Sequence, residues 1–150
     1  MQLIFVFGTL KRGFPLHPKL HNAAYMGPGR TVEAFPMYVA GGIRGPMMID
    51  RPGRGLRVVG ELFGVSPEQL DGVDEAEEIG KPGNFRRLIP VVTAARQRLD
   101  ALAFFKDERL ARPRASGYLT HYHDGRFLPP KTRPSSLPPL HLLSKTAERA

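Results

Sequence analysis

The apolar run Leu3-Ile4-Phe5-Val6-Phe7, closed by Gly8, constrains the fold more than any other stretch of the chain. It is continuous rather than alternating, which fits a strand buried on both faces. The segment that follows, Thr9-Leu10-Lys11-Arg12-Gly13, reads as a turn between two glycines. Gly8 lets the backbone leave the strand at angles closed to other residues and lets a ligand come close. Successive N–H groups in such a turn can converge on an anion or a developing oxyanion. An ordinary strand-to-turn connection accounts for the same residues equally simply.

The rest of the chain is rich in strands. Phe14 to Leu20, with Pro15 and Pro18, reads as an irregular loop or a short helical start. Tyr25 to Ala40 is extended, interrupted at Gly27-Pro28-Gly29, and Met47-Met48-Ile49 is a short apolar run. Leu56 to Val65 is a strand in which Gly60 marks a bulge or a close backbone approach. A helix begins at Ser66, with Pro67 at its first position and Gln69 completing a capping box, and ends near Gly80 or Pro82. Phe85 to Val92 and Leu99 to Phe105 are further strands, with Pro90 confining part of the first to an edge or bulge. Ser116 to Tyr122 reads as a last strand or short helix. About six short strands with one firm helix make the class α+β, with too few helices for a doubly wound sheet. Two parts are expected: a domain over residues 1–126, and a proline- and serine-rich tail over 127–150 that lies extended on the surface or disordered.

Composition removes several classes of function. The 150 residues suit one domain with a sizeable core, and 41% of them are hydrophobic. No cysteine is present, so thiolate nucleophiles, disulfides and cysteine-ligated metals are excluded. No apolar run is long enough to span a bilayer, and no basic leader precedes the first strand, so the expected location is cytoplasmic with no membrane contact. The net charge of +8 attracts anions, but the arginines are scattered and form no basic stripe with interleaved aromatics. A nucleic-acid partner is therefore not expected.

The helix carries a dense acidic patch: Asp71, Asp74, Glu75, Glu77 and Glu78. At about 100° per residue, Leu70, Val73 and Glu77 share one stripe. Glu77 thus occupies the face that should be buried, while the others turn toward solvent. Burial raises a carboxyl pKa and makes a glutamate able to take and return a proton near neutral pH. A structural ion pair of Glu77 with Arg86 or Arg87 fits the spacing as well. His17 and His21 stand four apart, but Pro18 lies between them and no third ligand is near, so no metal site is expected. Thr9 has no adjacent histidine-carboxylate pair to activate its hydroxyl.

Four stretches resemble, in order, the gamma-glutamylcyclotransferase-like superfamily and most closely its gamma-glutamylamine branch. They are Leu3 to Gly13, Thr31 to Gly41, Val59 to Val65, and Val73 to Glu77 followed by Phe85-Arg86-Arg87. The resemblance spans about residues 2–125, and Phe7 and Phe85 stand where tyrosine is usual. It implies a small mixed β-barrel of about six strands with flanking helices. It implies that Phe7, Gly8, Thr9 and Leu10 hold a γ-glutamyl group and that Glu77 is the catalytic acid and base. The implied reaction releases 5-oxoproline and a free amine from a small γ-glutamyl compound, with no cofactor or metal, in a protein expected to be a monomer. A module that binds a peptide or acidic metabolite in the same cavity without turnover is the alternative.

Overall fold

A computed structural model describes residues 1–41 and 45–123. Among the described residues seven strands are formed: β1 (Gln2–Val6), β2 (Ala24–Phe35), β3 (Met37–Ala40), β4 (Gly45–Met48), β5 (Leu56–Val65), β6 (Asn84–Thr93) and β7 (Arg98–Lys106). One α-helix, α1 (Pro67–Ala76), follows β5, and short 3-10 turns cover His17–Leu20 and Glu108–Leu110. Five strands close a barrel in the order β1-β5-β2-β6-β7, and β3 and β4 form a separate two-stranded sheet. The barrel is mixed: β1 runs antiparallel to β5 but parallel to β7, with Ile4 opposite Leu102. The α+β class and the small barrel are therefore both present.

Side-chain alternation explains why β1 is apolar throughout. Phe5 and Phe7 point into the barrel and pack with Leu62, Ile89, Val91, Ala101, Ala103 and Phe105. Ile4 and Val6 point outward, where Phe63, Val65, Leu102 and Phe104 continue the layer. Val73 of α1 and Leu20 of the first 3-10 turn cover that outer layer. A strand with both faces buried has no place for polar residues, as the run Leu3 to Phe7 requires. Gly60 sits where β5 crosses β1. A Cβ there would fall 2.3 Å from the Val6 carbonyl oxygen and 2.8 Å from the Phe5 ring. Pro90 lies opposite Asp100 in the β6–β7 ladder, one residue before β6 begins to pair with β2 at Val91. Its missing N–H therefore falls at an edge of the β2–β6 ladder.

Two expectations need correction. Residues 116–122 form neither strand nor helix. They belong to an irregular strap from Ala111 onward, tied to the edges of β3 and β5 by Ala115 N to Val39 O (2.8 Å), Leu119 N to Met37 O (2.7 Å) and Val59 N to Thr120 O (2.7 Å). The strap ends on Tyr122, which is fully buried in the barrel core. The helix, moreover, stops at Ala76 rather than near Gly80. Residues 127–150, expected as a tail, lie outside the described residues. Among the described residues no helix is long and apolar enough to cross a membrane.

Candidate active site

The helix starts as its sequence requires. Ser66 accepts from the Gln69 amide at 3.1 Å while the Gln69 side chain accepts from the Ser66 amide at 2.8 Å, and Pro67 takes the first helical position. Its end is less ordinary. Glu77 is the C-cap, and Glu78 adopts a left-handed φ of 59°. Ile79 N donates to Asp74 O at 2.9 Å and Glu78 N to Glu75 O at 3.1 Å, the paired bonds of a Schellman ending. Glycine usually fills the left-handed position. A glutamate there is held in a conformation that costs about 1 kcal/mol or more. Ile79 then packs against the outer layer with Leu10 and Val73, which fixes the direction in which Glu77 leaves the helix.

Glu77 meets neither guanidinium that its spacing allowed. Arg86 binds Asp74 through two bonds at 2.9 and 3.2 Å, and Arg87 binds Asp50 through two at 2.8 and 2.6 Å. The alternative of a structural ion pair with Arg86 or Arg87 is thus removed. Glu77 keeps part of its surface open to solvent. The protein packed around its carboxyl nevertheless pushes its pKa above the usual carboxylate range, with the Lys106 ammonium opposing that rise. Of the other acidic residues, Asp71, Glu75 and Glu78 are exposed, and Glu78 pairs with Lys81.

The glycine turn is closely held. Lys11 N donates to Gly8 O at 3.0 Å, and Leu16 N donates to Thr9 O at 2.9 Å. His17 Nδ1 lies 3.0 Å from Leu10 O, a bond made by the tautomer protonated at that nitrogen. The three carbonyls are thereby occupied. Among the described residues the amides of Gly8, Thr9 and Leu10 meet no acceptor, although Gly8 and Leu10 are buried. Successive amides in such a turn can converge on an anion or a developing oxyanion. Gly8 also has no room for a side chain, since a Cβ would lie 2.4 Å from the Pro46 ring. Phe7, where the resemblance placed a substrate contact, has its ring inside the barrel beside Phe5, with centroids 6.4 Å apart. Phe85 stacks on Phe105 at 5.5 Å.

Topology brings the turn and Glu77 to the same end of the barrel. Four residues beyond the parallel pair Ile4 and Leu102, the two strands reach Gly8 and Lys106. The Lys106 ammonium donates to the Glu77 carbonyl at 3.0 Å. Val73, one helical turn before Glu77, packs in the same layer as Val6 and Leu10 on either side of the turn. An open recess of about 610 Å³ lies elsewhere, between β2, β5 and the β6–β7 connection, and none of these residues lines it.

Three further residues at this end gave no signal in the sequence. Lys11 is buried, donates to Tyr122 O at 2.7 Å and lies 4.7 Å from the Phe14 ring centroid. Burial lowers its pKa to about 8 against the pull of Glu61. His17, considered above as half of a metal pair, instead fastens the turn. Lys106 reaches Glu77 from the end of β7. The two lysines act through partners remote in sequence, which spacing cannot reveal.

Residues 4–127 match the family model described as gamma-glutamyl cyclotransferase, AIG2-like. Similar curated proteins include a gamma-glutamylaminecyclotransferase from Homo sapiens, 37% identical over 94 residues, covering 59% of this chain and 60% of that protein. A putative gamma-glutamylcyclotransferase from Arabidopsis thaliana is 37% identical over 98 residues, covering 61% of this chain and 52% of its own length. The chain thus spans between about half and three fifths of these relatives. Among solved structures, an AIG2-like protein from Mus musculus superposes with a TM-score of 0.76 at 29% identity, over 89% of this chain and 99% of that one.

Proposed function

The chain belongs to the gamma-glutamyl cyclotransferase, AIG2-like family, and from that premise we propose that it releases 5-oxoproline and a free amine from a γ-glutamyl amine or γ-glutamyl amino acid. Glu77 takes a proton from the α-ammonium of the substrate. The freed nitrogen attacks the γ-carbonyl of the same molecule and closes a five-membered ring. Charge develops on the carbonyl oxygen, and the amides of Gly8, Thr9 and Leu10 receive it. The bond to the departing nitrogen then breaks as Glu77 hands that nitrogen its proton, and the second proton of the ring nitrogen passes through the freed carboxylate to the released amine. Nucleophile and electrophile share one molecule, so holding the folded conformer supplies much of the acceleration. No cofactor enters these steps.

The observation that carries the reading is a carboxyl with a raised pKa at the barrel end that also bears the successive amides of the Gly8 turn. A carboxyl raised in this direction keeps its proton to higher pH than a solvated one, which is the direction general acid-base work requires. Phe7 turns into the core, so its share in substrate binding is that of its backbone and its apolar wall.

The test is a panel of γ-glutamyl amines and γ-glutamyl amino acids scored for 5-oxoproline. Glu77→Gln is expected to lower kcat by at least about 100-fold, the usual worth of a general acid-base group. Its circular dichroism should match the wild type. Turnover that survives in this variant overturns the assignment, and saturable binding without product in the wild type establishes the non-catalytic module instead.

A further inference from the structure

The C-terminal end of α1 carries an electrostatic problem. The last carbonyls of a helix form the negative end of its dipole and favour cations nearby. The last turn of α1 contains no basic residue, and its cap is the acidic Glu77. The cation comes instead from β7. Lys106 donates to the Glu77 carbonyl at 3.0 Å and also to the Asn84 side-chain oxygen at the start of β6. Lys106 closes β7, opposite Asn84 in the β6–β7 ladder. One side chain therefore joins the helix end to the start of β6 and the end of β7.

We infer that Lys106 is a positioning residue for Glu77, clamping its main chain to the ends of β6 and β7 and providing the positive charge that acts on its carboxyl. The inference rests on Glu77 as the proton carrier. The other groups acting on this carboxyl are both acidic: Glu78 beside it and Asp74 one turn back. Asp74 is itself paired with Arg86 of β6. The remaining elements against α1, the 3-10 turn with His17 and Lys19 and strand β5 with Glu61, bring no charge to bear on it. Lys106 thus opposes burial and both acidic neighbours, drawing the carboxyl pKa back toward its ordinary range.

The experiment compares wild type, Lys106→Gln and Lys106→Arg by carbon-13 NMR titration of a labelled Glu77 carboxyl, with the pH profile of kcat/KM beside it. Lys106→Gln keeps a donor and removes the charge. It should move the Glu77 midpoint upward by about one pH unit, as loss of a nearby opposite charge does. The acid limb of kcat/KM should move with it while KM changes little. Lys106→Arg keeps the charge and should titrate close to the wild type. A midpoint unmoved in Lys106→Gln, or moved equally in Lys106→Arg, overturns the inference. Should Lys106→Gln fail to fold, Asn84→Ala releases the ammonium from one anchor, and its Glu77 midpoint must shift in the same direction. The titration needs no turnover. A wild type that forms no 5-oxoproline defeats the enzyme reading alone, and an unmoved midpoint defeats this inference alone.

Discussion

Lys11 shows what one buried side chain does to the energetics of this domain. Its ammonium is folded into the interior, and burial brings its pKa from 10.5 to about 8. A lowered lysine pKa means that the unfolded chain holds the proton more tightly than the folded one. Between about pH 8 and pH 10.5 the unfolded state retains a proton that the folded state has released, so the free energy of unfolding rises with pH across that window. Below it, the charged amine weighs against folding. Lys11→Met removes the titration. The stability difference between wild type and Lys11→Met, from urea midpoints, should move in favour of the wild type by about 2 kcal/mol between pH 8 and pH 10. A difference flat with pH would mean that the amine is solvated. Nothing in Thr9-Leu10-Lys11-Arg12 tells these two basic residues apart, yet Lys11 is buried and Arg12 is exposed on Glu61 and Tyr25. The distinction depends on Tyr122, 111 residues away.

At the scale of elements, legibility follows the range of the forces involved. The start of α1 was readable because a capping box is complete within four residues. The double burial of β1 was readable because both faces leave their mark on the same five positions. The end of α1 was not, since Glu78 takes a left-handed conformation that glycine would normally advertise. Nor was the strap from Ala111 to Tyr122, whose bonds run to β3 and β5 rather than along itself. For the site, periodicity singled out Glu77 and the glycine spacing singled out the turn. The clamp on Glu77 was invisible because it joins elements distant in sequence, and the fastening of the turn by His17 because it depends on a bend that only the folded backbone defines. Two glycines test how well the elements are understood. Gly60→Ala drives a methyl into the Val6 carbonyl and should cost about 2–3 kcal/mol. Gly72 lies inside α1 with open space around it, so Gly72→Ala should gain about 0.5–1 kcal/mol. Chemical denaturation of both variants reads the two signs together.

For the molecule as a whole, the strap decides where the domain ends. Tyr122 fills the barrel core beside Phe14, with ring centroids 5.6 Å apart, and receives the Lys11 bond. Cutting the chain after residue 126 keeps all of this, and that fragment is expected to melt cooperatively within a few degrees of the full chain. Cutting after residue 113 removes Tyr122 and the bonds to β3 and β5, and should leave a chain that binds hydrophobic dye and lacks a cooperative transition. A cooperative 1–113 fragment would show that the strap is dispensable.

The parallel seam carries a consequence for synthesis. Its two strands are the first and the last of the barrel, joined at Ile4 and Leu102. While the polypeptide emerges from the ribosome, β1 has its neighbour β5 soon after residue 65 but must wait for β7 before the wall can shut. Until some hundred residues have cleared the exit tunnel, Phe5 and Phe7 have no finished interior to enter, and apolar surface stays open to solvent during synthesis.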